Sequence, residues 1–92
     1  MKEELQDLID LLHERKCSCV LRNGEIYTFE RRGVEDLYAL LREQPGLLLG
    51  ADVADKVVGK GAAALMVLGR VRRVYADVLS EPAYGLLFQA GI

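Results

Sequence analysis

Apolar positions recur along the chain in two rhythms, and each change of rhythm marks an element. Across residues 3–15, Leu5, Leu8, Ile9 and Leu12 follow the i, i+3, i+4, i+7 spacing of one helix face. Glu3, Glu4 and Asp7 lie early in that segment and His13, Arg15 and Lys16 late, which suits the helix dipole. Residues 17–22 and 25–30 are β-prone runs flanking Asn23-Gly24, a strong hairpin signal because both turn residues take positive φ. Arg31-Arg32-Gly33 is a polar break. Residues 34–42 return to helical spacing through Val34, Leu37, Leu40 and Leu41, and Gln44-Pro45-Gly46 stops that helix. Residues 47–53 read as a strand. Residues 55–68 read as a helix rich in glycine and alanine, with Gly69 as its C-terminal cap. Residues 71–79 form the last strand. Its unbroken apolar stretch around Val74, Tyr75, Ala76 and Val78 predicts a central place covered on both faces. Ser80-Glu81-Pro82 opens a final helix, with proline near its first position, and Gly91 ends it.

The order α-β-β-α-β-α-β-α predicts the α/β class: a three-layer sandwich around a mixed sheet. Its early hairpin is antiparallel, and its later strands are parallel through right-handed crossovers. Ninety-two residues predict one domain, 1–92, large enough for a core without metal or disulfide staples. A net charge of −2 with no basic stripe argues against nucleic acid as a partner. The longest apolar runs, 47–49 and 62–68, are far too short for a membrane span. Met1-Lys2-Glu3-Glu4 puts acids where a signal peptide needs an apolar region, so the expected location is the cytoplasm, with Cys17 and Cys19 as reduced thiols. Ile92 stands just after a helix cap, where another strand could begin, and the chain reads as a truncated form of something longer.

Candidate chemistry gathers in Ala54-Asp55-Lys56-Val57-Val58-Gly59-Lys60-Gly61-Ala62-Ala63-Ala64, read as a strand-to-helix turn. Asp55 is expected as the N-cap, its carboxylate accepting backbone N–H bonds. Lys56 and Lys60, four apart, are expected on one helix face. Two cations at the positive end of a helix dipole invite an anion to join them and the free N–H groups. Gly59 and Gly61 each cost about 1 kcal/mol relative to alanine inside a helix, which points to a close approach by a ligand or a neighbouring element. Ligands of open α/β sheets collect at the carboxyl ends of parallel strands. The turn at 54–60 and the turn at 80–82 are expected side by side, bringing Asp55, Lys56, Gly59, Lys60, Ser80 and Glu81 to one rim. The structural alternative is that Asp55 caps, the glycines pack and the lysines are solvated. The pattern is not a Walker A motif, since Gly59-Lys60 has no following Ser or Thr and no glycine-rich loop before it.

Cys17-Ser18-Cys19 places two thiols on one face of a strand by alternation. A zinc site needs two or three further ligands, so buried, inert cysteines are expected, with no metal and no cofactor. His13 at a helix C-terminus is comfortable without catalysis. Arg72 and Arg73 read as an exposed strand end, and Asp77 as solvent-facing.

Residues 54–60, the alanine run, and Val74-Tyr75-Ala76-Asp77-Val78-Leu79-Ser80-Glu81-Pro82-Ala83 resemble a prokaryotic family known as domain of unknown function 1893. The resemblance spans nearly the whole chain and is most specific over residues 47–92. It implies a cytidine deaminase-like fold. It does not carry the deaminase chemistry, which needs His (or Cys)-x-Glu at one helix start and Pro-Cys-x-x-Cys at the next. Asp55 falls near the first ligand and Val57 near the glutamate. Pro82 is present, but Ala83 and Leu86 stand where the two cysteines belong. The expectation is therefore a deaminase-like domain without zinc that binds an anionic small molecule or nucleotide at 55–60. The alternatives are a metal-independent enzyme using Lys56 or Lys60 as base or Schiff-base amine, and a self-associating module whose unpaired sheet edge forms a homo-oligomer.

Overall fold

The computed structural model of the chain describes residues 4–31 and 34–92. The Arg32-Gly33 part of the expected polar break, and residue 3 of the expected first helix, lie outside them. Five helices and four strands follow one another among the described residues: α1 (Leu5–Glu14), β1 (Cys19–Asn23), β2 (Glu25–Phe29), α2 (Glu35–Glu43), α3 (Pro45–Leu48), β3 (Asp52–Val58), α4 (Lys60–Gly69), β4 (Arg73–Leu79) and α5 (Glu81–Gln89). The strands make one mixed sheet of order β2-β1-β3-β4. β1 is antiparallel to β2 and β3, while β3 and β4 are parallel.

Alternation along the strands divides the core in two. Val20 and Ala54 point to one face and pack with Leu8 and Leu12 of α1 and with Cys17. Cys19, Leu21 and Val53 point to the other, where they meet Leu37 and Leu40 of α2, Leu48 of α3, Met66 of α4 and Leu87 of α5. Helices thus cover both faces, and three layers result. Each fully buried leucine or methionine contributes about 1.5–3 kcal/mol through the apolar surface it removes from water. The amphipathic stripe of α1 lies where its periodicity puts it, with Leu8 and Leu12 sealed completely. No helix among the described residues is long and apolar enough to cross a membrane.

Four expectations need correction. β4 is an edge strand, not a central one: Asp77, Val78 and Leu79 are exposed, and the doubly covered strand beside it is β3, buried over residues 52–55. The segment expected as strand from residue 47 begins with the short helix α3, which Pro45 opens at its first position, and β3 starts only at Asp52. The hairpin forms, but Asn23 pairs with Glu25, leaving Gly24 alone in the turn at φ +77. The Asn23 amide instead donates to the carbonyls of Gly46, Leu47 and Leu49 at 3.0–3.1 Å, tying the α3 corner to the sheet. Finally, Arg70 and not Gly69 adopts the left-handed conformation after α4, at φ 61. Gly69 is required for a different reason: a Cβ there would lie 2.7 Å from Leu48 Cδ1 and 2.8 Å from Leu48 Cβ.

Candidate functional site

The loop between β3 and α4 opens on a cavity of about 550 Å³, lined mainly by apolar surface. Its walls come from the start of β1 (Ser18, Cys19), the segment entering α2 (Arg31, Val34, Asp36, Leu37), the end of β3 (Asp55, Lys56, Val57) and the start of α4 (Gly59, Gly61, Ala62). Ser18 holds this corner together. Its hydroxyl donates to the carbonyls of Phe29 and Arg31, at 3.2 and 2.6 Å, and its own carbonyl accepts from Lys56 N–H at 3.0 Å.

Asp55 is not an N-cap. It lies inside β3, opposite Cys19 in the antiparallel register, and is only 7% exposed. Gly59 takes the N-cap position of α4 and brings no side-chain cap. The Asp55 carboxylate accepts a hydrogen bond from Val57 N–H at 3.3 Å. Burial raises its pKa from an ordinary 3.8 to about 6, against the pull of the Val57 and Lys56 N–H groups and the Cys19 thiol. The same burial, followed by the negative charge of Asp55 and Asp36, drives the Cys19 thiol far above its ordinary range. Cys19 is therefore a protonated donor to Asp55 and a poor nucleophile. Asp36 completes the acidic side of the cavity. Its Oδ1 meets Arg31 Nε at 3.2 Å, and its Oδ2 is shut from solvent with no hydrogen-bond partner.

Of the six residues expected at one rim, Asp55, Lys56 and Gly59 line this cavity. Lys60 begins α4 but is exposed and off the cavity. It does not share a helix face with Lys56, which belongs to β3. The two strand-to-helix turns are adjacent, as Ser80 N–H donates to Val58 carbonyl at 3.1 Å. Even so, Ser80 and Glu81 stay outside the cavity. Ser80 Oγ caps α5, accepting from Ala83 N–H at 3.2 Å. The cysteines also separate: β1 begins at Cys19, so Cys17 precedes the alternation and joins the α1 core while Cys19 joins the other. Among the described residues no three His, Cys, Asp or Glu side chains are grouped to hold a metal ion.

Sequence reasoning missed two further polar clusters. At the opposite end of β3, Asp52 is 1% exposed and bound by Arg22, Arg72 and Arg73. Arg72 and Arg73 each reach both carboxylate oxygens, at 2.8–3.1 Å. These bonds, Arg73 foremost, hold the Asp52 carboxyl well below the usual carboxylate range. On the α1 face, Asp77 accepts from the Tyr75 hydroxyl at 2.5 Å and lies 2.8 Å from His13 Nε2, joining the end of α1 to β4. The Tyr75 hydroxyl, then His13, lower the Asp77 pKa.

A mixed four-stranded sheet, helix-covered on both faces, with a cavity beside the parallel strand-to-helix turn, defines an α/β domain. Residues 7–92 match the family model described as TM1506, domain of unknown function (DUF1893), and the chain belongs to that family. The fold is similar to that of the DUF1893 family protein TM1506 from Thermotoga maritima, at a TM-score of 0.83 and 24% identity. That likeness covers 99% of this chain and 63% of the Thermotoga chain. No curated protein matches.

Proposed function

We propose that this domain binds a small anionic molecule, an acid group on a partly apolar body, in the cavity between β1, β3, α2 and α4. The observation that carries the reading is that α4 begins on the cavity wall with bare glycine backbone at Gly59 and Gly61 and no side-chain cap. The first N–H groups of a helix have no intrahelical acceptor and favour an anion. Lys56 also lines the cavity, with its charge acting on Asp77 on the α1 face of the sheet. Nucleotides and other phosphate compounds fall within this ligand class, provided their apolar part fits the space by Val34 and Leu37. A cytidine deaminase-like kinship is part of the same proposal. It is supported by the layered architecture and by the cavity's place at the start of a helix following an inner strand. The zinc chemistry of such enzymes is not part of it, since Ala83 and Leu86 replace the thiol ligands.

The test is a titration of the 15N-labelled chain with sulfate, phenyl phosphate and benzenesulfonate. Binding should move the amides of Ser18, Gly59, Lys60 and Gly61 together. Gly61→Leu should abolish the shifts by filling the cavity, and Lys56→Ala and Lys60→Ala should each leave binding nearly unchanged. Shifts scattered over the surface, or insensitive to Gly61→Leu, would refute the site.

Self-association is a second reading. It is favoured by β4, which has a strand neighbour on one side only among the described residues and exposes Val78 and Leu79. A molar mass that rises with concentration in light scattering, and falls back on Val78→Lys, would support it. A constant monomer mass would dispose of it.

A further inference from the structure

We propose that an acid entering this cavity draws one proton onto Asp55, so that the Asp55 carboxyl donates an O–H hydrogen bond to the bound anion; this rests on reading the cavity as an anion site. The geometry creates the conflict that a proton resolves. The start of α4, where the anion is placed, and Asp55 line the same cavity, and Asp55 is almost wholly removed from water. Two carboxylate-like charges confined together cannot both stay ionised without a large cost, so one takes a proton. A strong acid such as a sulfonate or phosphate ester keeps its charge, which leaves Asp55 as the group that is neutralised.

The surroundings of Asp55 provide no cation to relieve the conflict directly. From β1 it meets the neutral Cys19 thiol. From α2 the neighbour is another carboxylate, Asp36, already joined to Arg31. From its own strand Lys56 and Val57 offer backbone N–H groups, and the Lys56 charge acts on Asp77. β4 places Ala76 opposite it, with His13, Tyr75 and Asp77 gathered on the α1 face of the sheet. α4 contributes only its N–H groups, Lys60 being off the cavity. The carboxyl of Asp55 already sits near its titration midpoint at about pH 6, so little work is needed to protonate it. The balance is simple: one proton leaves the buffer, one O–H···O hydrogen bond forms, and no other bond changes.

The experiment uses benzenesulfonate and sulfate, which stay fully ionised from pH 5 to pH 8. Affinity is measured by NMR at both pH values. Proton uptake is measured by calorimetry at pH 6.5 in buffers of different ionisation enthalpy. The expected result is binding about tenfold or more tighter at pH 5 than at pH 8, with net proton uptake on the unmutated chain. Asp55→Asn, which mimics the neutral acid, should bind at both pH values with one affinity and no uptake. Binding that is equal at pH 5 and 8 with no uptake would overturn the inference while leaving the anion site standing. A pH dependence that survives Asp55→Asn would overturn the assignment to Asp55. Failure of every anion to move the cavity amides at either pH would overturn the anion site itself, and the inference with it.

Discussion

Asp52 and Asp55 are three residues apart on β3, both nearly sealed from water, and the fold treats them in opposite ways. An odd spacing on a strand sends them to opposite faces of the sheet. Asp52 emerges beside α1, where Arg22 of β1 and Arg72 and Arg73 at the start of β4 close on it. Asp55 emerges beside α2 and α4, where its partners are two backbone N–H groups and a thiol. The first carboxylate is stabilised as an anion and the second is pushed toward the neutral acid. Burial alone therefore predicts nothing about a carboxylate's charge: the donors that reach it decide. Asp52 has the character of a structural clamp, and Asp55 that of a carboxyl whose ionisation works against stability.

The largest expected effect comes from breaking the clamp. Asp52→Ala leaves Arg22, itself 5% exposed, beside two further guanidinium groups without their common anion. Breaking a buried ion pair from one side costs about 3–5 kcal/mol. Urea unfolding at pH 7 should show a loss of that size with an unchanged denaturant slope. A loss below about 1 kcal/mol would mean that the arginines, not Asp52, organise this end of the sheet.

Next comes the pH dependence, where the two aspartates pull in opposite directions. The folded pKa of Asp55 is raised, so its contribution is fully present below about pH 4 and is lost as pH rises through about 6. A shift of that size corresponds to about 3 kcal/mol. The folded pKa of Asp52 is lowered, so its contribution is present above about pH 4 and is lost only as pH falls well below that. Stability measured by urea unfolding should therefore rise as pH is lowered from 7 toward 4, then fall in stronger acid. Asp55→Asn should flatten the first limb and make the chain about 1–2 kcal/mol more stable at pH 7, less than the full shift because hydrogen bonds to a carboxylate are given up. A destabilised Asp55→Asn at pH 7 would show that Asp55 is also a clamp.

A smaller effect sharpens the Asp55 side. Cys19→Ala removes the thiol that donates to Asp55 and should move the carboxyl titration further upward, as followed by the 13C shift of the Asp55 carboxyl. The stability cost should be about 1 kcal/mol, the usual net worth of one hydrogen bond. An unmoved titration would mean that burial and the backbone alone set it.

Much of the scaffold was legible in local pattern. The stripe of α1, the hairpin around Gly24 and the Ser80-Pro82 start of α5 each depend on residues a few positions apart, and all three are present. The site was legible only as a neighbourhood. Asp55 followed by lysine and glycine reads as a helix cap. Only the register Cys19↔Asp55, set across 36 positions of sequence, extends β3 through it. Asp36 and Arg31 reach the cavity through the packing of α2, for which no short-range signal exists. The clamp had a faint one: Asp52 and Arg73 are register partners at the start of parallel neighbours, a pairing that follows once β3 and β4 are aligned. The continuous apolar character of β4 misled for a related reason. Apolar content measures what a strand tolerates, and sheet order decides which strand is covered on both sides.

The smallest effect tests whether the clamp acts as one unit. Arg72 and Arg73 present near-identical forks to the same two oxygens of Asp52, Nε to Oδ1 at 3.1 and 3.0 Å and Nη2 to Oδ2 at 2.8 Å in both. Both guanidinium groups are partly exposed while Asp52 is sealed, so removing one of them, with the other fork still in place, should cost about 1 kcal/mol. With either fork gone, the other still satisfies both oxygens, as Arg22 alone, through a single bond at 3.1 Å, does not. The double variant Arg72→Ala, Arg73→Ala should therefore cost more than the sum of the singles, by about 0.5 kcal/mol or more in a double-mutant cycle. Strict additivity would mean that the two forks act on Asp52 independently and that neither stands in for the other.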